Sequence, residues 1–410
     1  MASGLAAPAD WRTLQLPDYK GQPGWEFTSL RGFDLAAFEA AEGGSTEALD
    51  DVERVFDELG EGTLRLDQVD AAPVSTGFEA AGGALVLPLT QALERHPDLV
   101  RPHLDSLVGV DGDPFTARTA AEWTGGAFVY VPAGVRLEAP VLLTALQAQA
   151  GTALAWRVLV VLEENAQAEV YEQALSADAE QEALLTTTVE LHVGPGARLR
   201  YVTAQDLSER TWLFGTQRAS VERDAALDWV TLGFGGGTGR LVQNTILTGR
   251  GAEGTVTGAY ASHNRQHLEF DTTQEHAAPD TRSDLAFRGI LTDRSSSVWR
   301  GMIKVEPAAQ RTDAFQESRN LLLSKRAHAD AIPGLEILAN DVRCTHAAAV
   351  AQIDPEQVFY LRSHGLDEAA AKRMVVEGFL AQLVERFEEG PTRTALAGAL
   401  ERRLSAVLGT

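Results

Sequence analysis

Apolar and polar residues alternate with a period of two through the middle of the chain. From about residue 126, segments such as AFVYVP, WRVLVVLEE and LLTTTVELHVG follow one another, and small polar residues separate them. Alternation of this kind, with enrichment in Val, Thr and Tyr, is typical of β-strands. The pattern continues to about residue 353, so we predict a strand-rich core over residues 126–353.

The turns between these strands recur at nearly constant spacing. Five pairs of residues, each a Gly, Asn or Asp followed by Ala or Val, lead into a strand at intervals of 31, 31, 28 and 27 residues. These pairs are Gly134-Val135, Asn165-Ala166, Gly196-Ala197, Asp224-Ala225 and Gly251-Ala252. A repeat of about 30 residues without intervening amphipathic helices is typical of stacked coils. The pattern therefore predicts a parallel β-helix (a β-solenoid), with a β-sandwich as the alternative because hairpin-like turns also occur.

Helical patterns flank the predicted core. Residues 1–125 are predicted to be mainly helical, and FDLAAFEAAEGG has apolar residues at helical spacing. Residues 354–410 are predicted to form a C-terminal helical region, in which Asp354 is an N-cap and Gly365 ends the first helix. The next helix carries one apolar stripe, Val376, Phe379, Leu380, Leu383 and Phe387. Terminal helices of solenoids commonly cap the exposed core, and docking of a partner is the alternative role.

The charge balance limits the classes of partner. The chain has 58 acidic and 35 basic side chains, a formal net charge of -23. Such a surface repels phosphate backbones and anionic lipids, so we expect neither nucleic acid nor a membrane as partner. No basic segment followed by an apolar run opens the sequence, so we expect no secretory signal peptide, and no apolar run of about 20 residues occurs in the sequence. With a single cysteine, Cys344, an intramolecular disulfide is excluded, and we expect a cytoplasmic protein.

Cys344-Thr345-His346 is the most suggestive local motif for chemistry. On a strand, the thiol and the imidazole project to the same face, and both are good ligands for iron or zinc. A cluster usually needs about four protein ligands, and this chain has no second cysteine. Any cluster must therefore be transient or shared with another chain. The alternative is a half-buried cysteine beside a surface histidine.

Three further histidines form a weaker metal-site hypothesis. His263, His267 and His276 lie in SHNRQHLEFDTTQEH, and His263, His267 and Glu269 would share one face of a strand. Zinc could use such a set of ligands. The alternative is that these are polar side chains on the surface of a coil.

The sequence contains no convincing catalytic motif, so we predict a protein that is not an enzyme. GRGAEG matches the letters of a dinucleotide-binding motif, but a strand-like segment follows it instead of a helix. A P-loop, a nucleophile elbow and an HExxH motif are absent from the sequence. The alternative from another class is a β-helix enzyme acting on acidic polysaccharide. The acidic charge and the lack of a signal peptide disfavour that alternative.

Several long segments resemble the SufB/SufD family of the SUF iron–sulfur cluster assembly system. They occur in family order, and LEILANDVRCTHAAAVAQIDPEQVFYLRSHG resembles the family's C-terminal signature, in its SufD form. The others are GWEFTSLRGFDL, HPDLVRPHL, FTARTAAEWTGGAFVYVPAGVRLEAPVLL and HAAPDTRSDLAFRGILTDRSSSVWRGMIKVEPAAQRTDAFQESRNLLLS. Ala347, Ala349 and Ala351 depart from the family's usual Gly and Thr. The cysteine-bearing segment typical of SufB is absent, which favours the SufD branch.

The resemblance implies a right-handed parallel β-helix between helical ends, acting as a scaffold without catalytic activity. It also implies a complex with SufB and two copies of the ATPase SufC, in which a nascent cluster forms at the SufB–SufD interface. His346, with Cys344 beside it, is the implied ligand of a transient iron or iron–sulfur cluster shared with SufB. No cofactor is expected to be bound permanently by this chain alone, and a homodimer is the expected alternative when the chain is isolated.

SufC is expected, by the same resemblance, to dock on the C-terminal helical region between residues 355 and 387. The residues predicted to contact SufC are Pro355, Phe359, Tyr360, Arg362, Arg373 and Phe379.

Overall fold

A computed structural model describes residues 9–408, apart from residues 19, 21, 57, 58, 61, 81, 111 and 112. The strands in this part of the chain are β1 (Glu39–Ala40), β2 (Leu64–Val69), β3 (Ala72–Pro73), β4 (Phe78–Glu79), β5 (Leu85–Pro88), β6 (Ala127–Val131), β7 (Val141–Gln147), β8 (Thr152–Leu162), β9 (Gln167–Ser176), β10 (Ala183–Val193), β11 (Arg198–Asp206), β12 (Thr211–Val221), β13 (Ala226–Gly233), β14 (Thr238–Leu247), β15 (Glu253–Ser262), β16 (His267–His276), β17 (Arg282–Leu291), β18 (Ser296–Val305), β19 (Thr312–Leu322), β20 (His328–Ile337) and β21 (Val342–Gln352). The α-helices are α1 (Leu89–Arg95), α2 (Pro97–Val100), α3 (Pro114–Glu122), α4 (Pro355–Ser363), α5 (Glu368–Val384) and α6 (Pro391–Leu408).

Successive strands alternate between two long sheets. Sheet I has the order β20-β18-β16-β14-β12-β10-β8-β6-β5-β4, and sheet II has the order β21-β19-β17-β15-β13-β11-β9-β7-β2-β3. From β6 to β21 every neighbouring pair within a sheet is parallel, so each coil adds one strand to each sheet. The predicted β-solenoid is confirmed, with about eight turns. The β-sandwich alternative is wrong.

The recurring turns are held in left-handed backbone geometry. Their first residues have φ between 57° and 74°, which Gly, Asn and Asp adopt at low cost. Each of their N–H groups donates to a turn carbonyl of the next coil at 2.8–3.3 Å. These residues are Gly134, Asn165, Gly196, Asp224 and Gly251. At the same point of each coil, the turn requires a residue with a positive φ whose N–H donates to the next coil. This requirement accounts for the spacing of these residues in the sequence.

The space between the two sheets, the lumen, is filled by alternate side chains of both. Trp156, Trp229, Trp299, Tyr201 and Tyr260 are at most 1% exposed there. Helices α5 and α6 bury the predicted stripe against the outer face of sheet II, together with Leu396, Leu400 and Leu404. They thus cover a side of the solenoid, and the last coil stays open at its end. The C-terminal helices therefore shield the outer face of sheet II and leave the last coil uncovered.

The prediction of a helix for the segment FDLAAFEAAEGG is also wrong. Only a single 3-10 turn, Leu35–Ala37, forms there, and β1 then pairs with β8. Leu35 and Phe38 are buried in an aromatic cluster on the outer face of sheet I, and the guanidinium of Arg118 donates to both of their backbone carbonyls. The burial of these apolar side chains stabilises the non-helical conformation. The hydrogen bonds from Arg118 satisfy two backbone carbonyls that would otherwise accept hydrogen bonds within a helix.

None of the helices within the described residues combines the length and the apolar character needed to cross a bilayer.

Substituting Gly235→Ala should destabilise the solenoid by about 1–3 kcal/mol, because overpacking of this size forces the backbone to shift. A Cβ at Gly235 would lie 2.0 Å from the backbone nitrogen of Leu207 and 2.4 Å from its carbonyl oxygen. Thermal unfolding measures the change. Gly109→Ala is the matched control, since a Cβ at Gly109 meets no atom within 4 Å. Equal unfolding temperatures for the two variants would contradict the tight packing at Gly235.

Candidate functional site at the open end of the solenoid

The last coil leaves one edge of each sheet without a partner strand in the described part of the chain. Strand β20 pairs with β18 alone, and β21 pairs with β19 alone. Unpaired strand edges present rows of N–H and C=O groups that another chain can extend. Pro333 lacks an N–H on β20, whereas β21 contains no proline. The 11-residue strand β21 is therefore the more complete edge for pairing.

Cys344 is half-buried on β21. Its side chain packs beside a small apolar cluster that includes Ile303, Val305 and Ala314, and it lies in register with Ala314 on β19. Burial raises the pKa of the Cys344 thiol, and the negative charge of Asp313 raises it further. The thiol therefore stays protonated at neutral pH, unlike reactive cysteines, whose pKa is lowered by positive surroundings.

His346 lies two residues further along β21 and is exposed. It is in register with Gln316 on β19, whose side chain is buried in the lumen. No hydrogen bond or ion pair to another described residue engages the imidazole of His346. The predicted pair, Cys344 and His346, thus lies at the open end on one face of the strand, with the imidazole available to a ligand.

An exposed apolar surface lies along β20, just after it, and on β21 at the open end, and the sequence reasoning missed it. Its members have exposed fractions of 38–53%, although large aliphatic side chains are usually buried. We call it the end patch, formed by Ile332, Leu335, Ile337, Leu338 and Val350. The signal in the sequence was the segment AIPGLEIL, which has apolar residues on both faces of a strand, and the fold then shows that β18 is the one neighbour of this strand in the described chain. Apolar patches of this kind mark interaction surfaces.

The residues predicted to contact SufC fall into two groups. Phe359 and Tyr360 on α4 are 73% and 61% exposed, and Pro355 and Arg362 are exposed beside them. The remaining two are engaged within the fold. Arg373 forms ion pairs with Glu377 and Glu401, and the ring of Phe379 lies under the guanidinium of Arg288 at 5.8 Å.

The three histidines of the weaker metal-site hypothesis lie in three different environments. His263 is in the turn before β16, with its Nε2 2.7 Å from Glu209. His267 lies on the outer face of sheet I between Thr28 and Ser296, at 3.1 and 2.8 Å. His276 points into the lumen. Nowhere in the described residues do three or more His, Cys, Asp or Glu side chains come together in a way that could hold a metal ion.

Lowering the pH from 6.5 to 4 should destabilise the fold, in part through His276. Its two ring nitrogens contact Thr281 and Ser283 at 2.8 and 2.9 Å, and burial lowers its pKa from 6.5 to about 4. Between these two values the unfolded chain binds the proton and the folded chain does not, so stability falls with pH. The shift corresponds to about 3 kcal/mol at most.

Urea unfolding at a series of pH values measures this dependence. His276→Gln, which keeps polar atoms near both hydroxyls, should flatten the pH dependence between 6.5 and 4. The control is His328→Gln, at an exposed position. A slope unchanged by His276→Gln would contradict the assignment.

Comparison with known proteins places these observations in context. Residues 144–379 match the family described as "SUF system FeS cluster assembly, SufBD core domain". The iron–sulfur cluster assembly protein SufD of Bacillus subtilis is 30% identical over 396 residues, which cover 95% of this chain and 90% of that protein. SufB of the same organism is 26% identical, over 90% of this chain and 84% of SufB. A SufBD family protein of Mycobacterium tuberculosis is 31% identical over 74% of this chain and 77% of its own length.

Proposed function

The chain belongs to the SufB/SufD family of iron–sulfur cluster assembly proteins, and on that basis we propose that it is the SufD-type scaffold of a SUF complex. In this proposal it has no catalytic activity of its own. It pairs with SufB through the open end of the solenoid and docks the ATPase SufC on its C-terminal helices. The observation that carries the proposal is the open end itself, where an unpaired strand, an apolar patch and an exposed His346 lie together.

Pairing with SufB would cover both features of the open end that are unfavourable in an isolated chain. A partner strand along β21 would satisfy its unpaired backbone groups. The end patch would be removed from water at the same time, which stabilises an interface by about 25 cal/mol per Å² of apolar area. Both contributions come from elements that adjoin His346, so the interface and the ligand site would be one region.

The nascent cluster is cargo in this proposal, and this chain supplies only part of its ligands. His346 offers an imidazole nitrogen, and Cys344 offers a sulfur once it loses its proton. Since a cluster is held by about four protein ligands, the others would come from SufB. A site that is complete only in the complex fits a cluster that must later be released.

SufC would dock on the exposed face of α4. This helix begins at Pro355, three residues after β21 ends, and only Val358 among its residues is buried. A movement imposed on α4 by SufC would therefore be transmitted through Ile353 and Asp354 to the strand that carries His346. We propose that ATP hydrolysis in SufC opens and closes the interface with SufB by this connection.

Phe359→Ala should weaken SufC binding about thirtyfold, because truncating an exposed aromatic anchor commonly costs at least about 2 kcal/mol. Isothermal titration of SufC into the chain measures the affinity. Stability should change little, since the ring is 73% exposed. Phe78→Ala, at an exposed phenylalanine of β4 far from α4, is the matched control. If the Phe359 variant binds SufC with the affinity of the wild type, SufC does not dock on this face of α4.

Light scattering on a mixture of this chain, SufB and SufC tests the pairing. The proposal expects one species with one copy of this chain, one SufB and two SufC. The open end could also pair with a second copy of itself, as expected for the isolated chain. A homodimer that persists in the presence of excess SufB would contradict the heterodimeric scaffold.

A further inference from the structure

Three successive turns near the open end carry an arginine at the same position. These turns lead from sheet II into β16, β18 and β20, and Arg265, Arg294 and Arg326 each lie two residues before the strand. In each turn the next residue is buried, and its N–H donates to the carbonyl three residues earlier at 3.1–3.3 Å. The three arginines therefore occupy equivalent positions. With Lys325, which precedes Arg326, they form what we call the basic stripe.

The turns that carry the basic stripe stack on one another. The N–H of Arg294 donates to the carbonyl of Asn264 at 3.0 Å, and the hydroxyl of Ser324 donates to the carbonyl of Asp293 at 2.8 Å. Adjacent strands of a sheet are about 4.8 Å apart, so the three arginine positions span about 10 Å along the solenoid. After β21 the chain continues into α4 instead of forming another turn of this kind, and the basic stripe ends there.

The basic stripe has no counter-charge within the described ranges of the chain. All four of its side chains are exposed, and none of them forms an ion pair or a side-chain hydrogen bond with another described residue. Acidic groups close to the stripe are engaged otherwise. The carboxylate of Asp293 accepts the backbone N–H of Asn264 at 3.1 Å, and Glu209 lies 2.7 Å from His263.

Unpaired cations stacked in this way are unfavourable in an isolated chain. Like charges on neighbouring strands repel each other, although acidic side chains outnumber basic ones by 58 to 35 in this sequence. An earlier turn on the same edge of the solenoid has its own counter-charge, because Arg210 is ion-paired with Glu182 at 2.8 Å. Carboxylates supplied by another chain would neutralise the basic stripe in the same way.

We propose that the basic stripe docks an acidic helix of a partner protein. Each residue of a helix rises 1.5 Å, so carboxylates at positions i, i+3 and i+7 span about 10 Å on one face, which matches the stripe. Alternate residues of an extended strand are about 6.6 Å apart and fall out of step with the coils. A nucleic acid fits less well, because its phosphates face all directions and would also meet the rest of this acidic chain. This inference is independent of the proposed function.

Carbodiimide crosslinking tests the proposal on the full chain, because this reagent joins a carboxylate to a lysine amine in contact with it. The probe is a synthetic helical peptide without amines that carries Glu at i, i+3 and i+7. Mass spectrometry then locates the crosslink among the four lysines of the chain, Lys20, Lys304, Lys325 and Lys372. The crosslink is expected at Lys325 at about 20 mM salt and should be lost at about 0.5 M salt, where charges are screened.

Arg294→Glu should lower the crosslinking yield at Lys325 about fivefold or more, because an attraction between exposed charges becomes a repulsion. Arg198→Glu is the matched control. Arg198 is also exposed but begins β11, on the opposite edge of the solenoid, so the same change in charge should leave the yield unaltered.

Three results would overturn the proposal. The first is the absence of a crosslink at Lys325, and the second is a yield for Arg294→Glu equal to that of the wild type. The third is a single-stranded oligonucleotide that protects Lys325 from acylation when the peptide does not, which would make the basic stripe a nucleic-acid site.

Discussion

Replacing His346 by alanine should abolish most cluster accumulation while the complex with SufB and SufC still forms. The imidazole is exposed on β21 and has no hydrogen bond within the described chain, so its removal leaves no buried group without a partner. Loss of a metal ligand should lower the iron and sulfide content at least about tenfold. Substituting residues that only hydrogen-bond to metal ligands already lowers metal affinity about tenfold or more. Iron and sulfide analysis under anaerobic conditions measures the effect.

The control for this variant is His328→Ala. His328 begins β20 at the same open end and is exposed, with Asp330 3.1 Å away. It therefore matches His346 in chemistry and location but lies on the other strand edge. If both variants accumulate as much cluster as the wild type, His346 is not a ligand.

A charge in the end patch should have the second large effect. Leu335→Asp should weaken the pairing with SufB about a hundredfold or more, because the interface would bury an unpaired carboxylate. The isolated chain should fold normally, since Leu335 is 38% exposed in it. Surface plasmon resonance with immobilised SufB measures the affinity, and circular dichroism checks the fold.

Phe78→Asp is the matched control for the end patch. Phe78 has the same exposed fraction, 38%, and belongs to the same sheet, but β4 lies at the opposite end of the strand order from β20. Binding to SufB should be unaffected by this substitution. If both variants bind SufB as the wild type does, the open end is not the interface.

The solenoid could be predicted from the sequence because its physical requirements are local. Strand alternation follows from the period of side chains, and the turns require Gly, Asn or Asp at a positive φ, as at Asn165 and Asp224. The predicted N-cap Asp354 is local in the same way, and its carboxylate accepts the backbone N–H of Glu356 at the start of α4. The segment around Leu35 could not be predicted, because its structure depends on the distant Arg118 and the outer face of sheet I.

The candidate site was predictable only in part for a similar reason. Cys344 and His346 share a face because they are two residues apart on one strand. The histidines at 263, 267 and 276 were grouped by sequence proximity, but strand β16 begins only after His263, and His267 and His276 point to opposite faces of it. The end patch depends on which strand happens to be last in its sheet, and sequence spacing carries no such information.

Anaerobic co-purification of this chain with SufB and SufC, followed by iron and sulfide analysis of the complex and of each subunit alone, tests the central claim most directly. The proposed scaffold predicts that the chains co-purify and that the complex contains cluster while this chain alone contains none. A chain that binds neither SufB nor SufC would contradict the scaffold function, even though the fold and the family would remain as described.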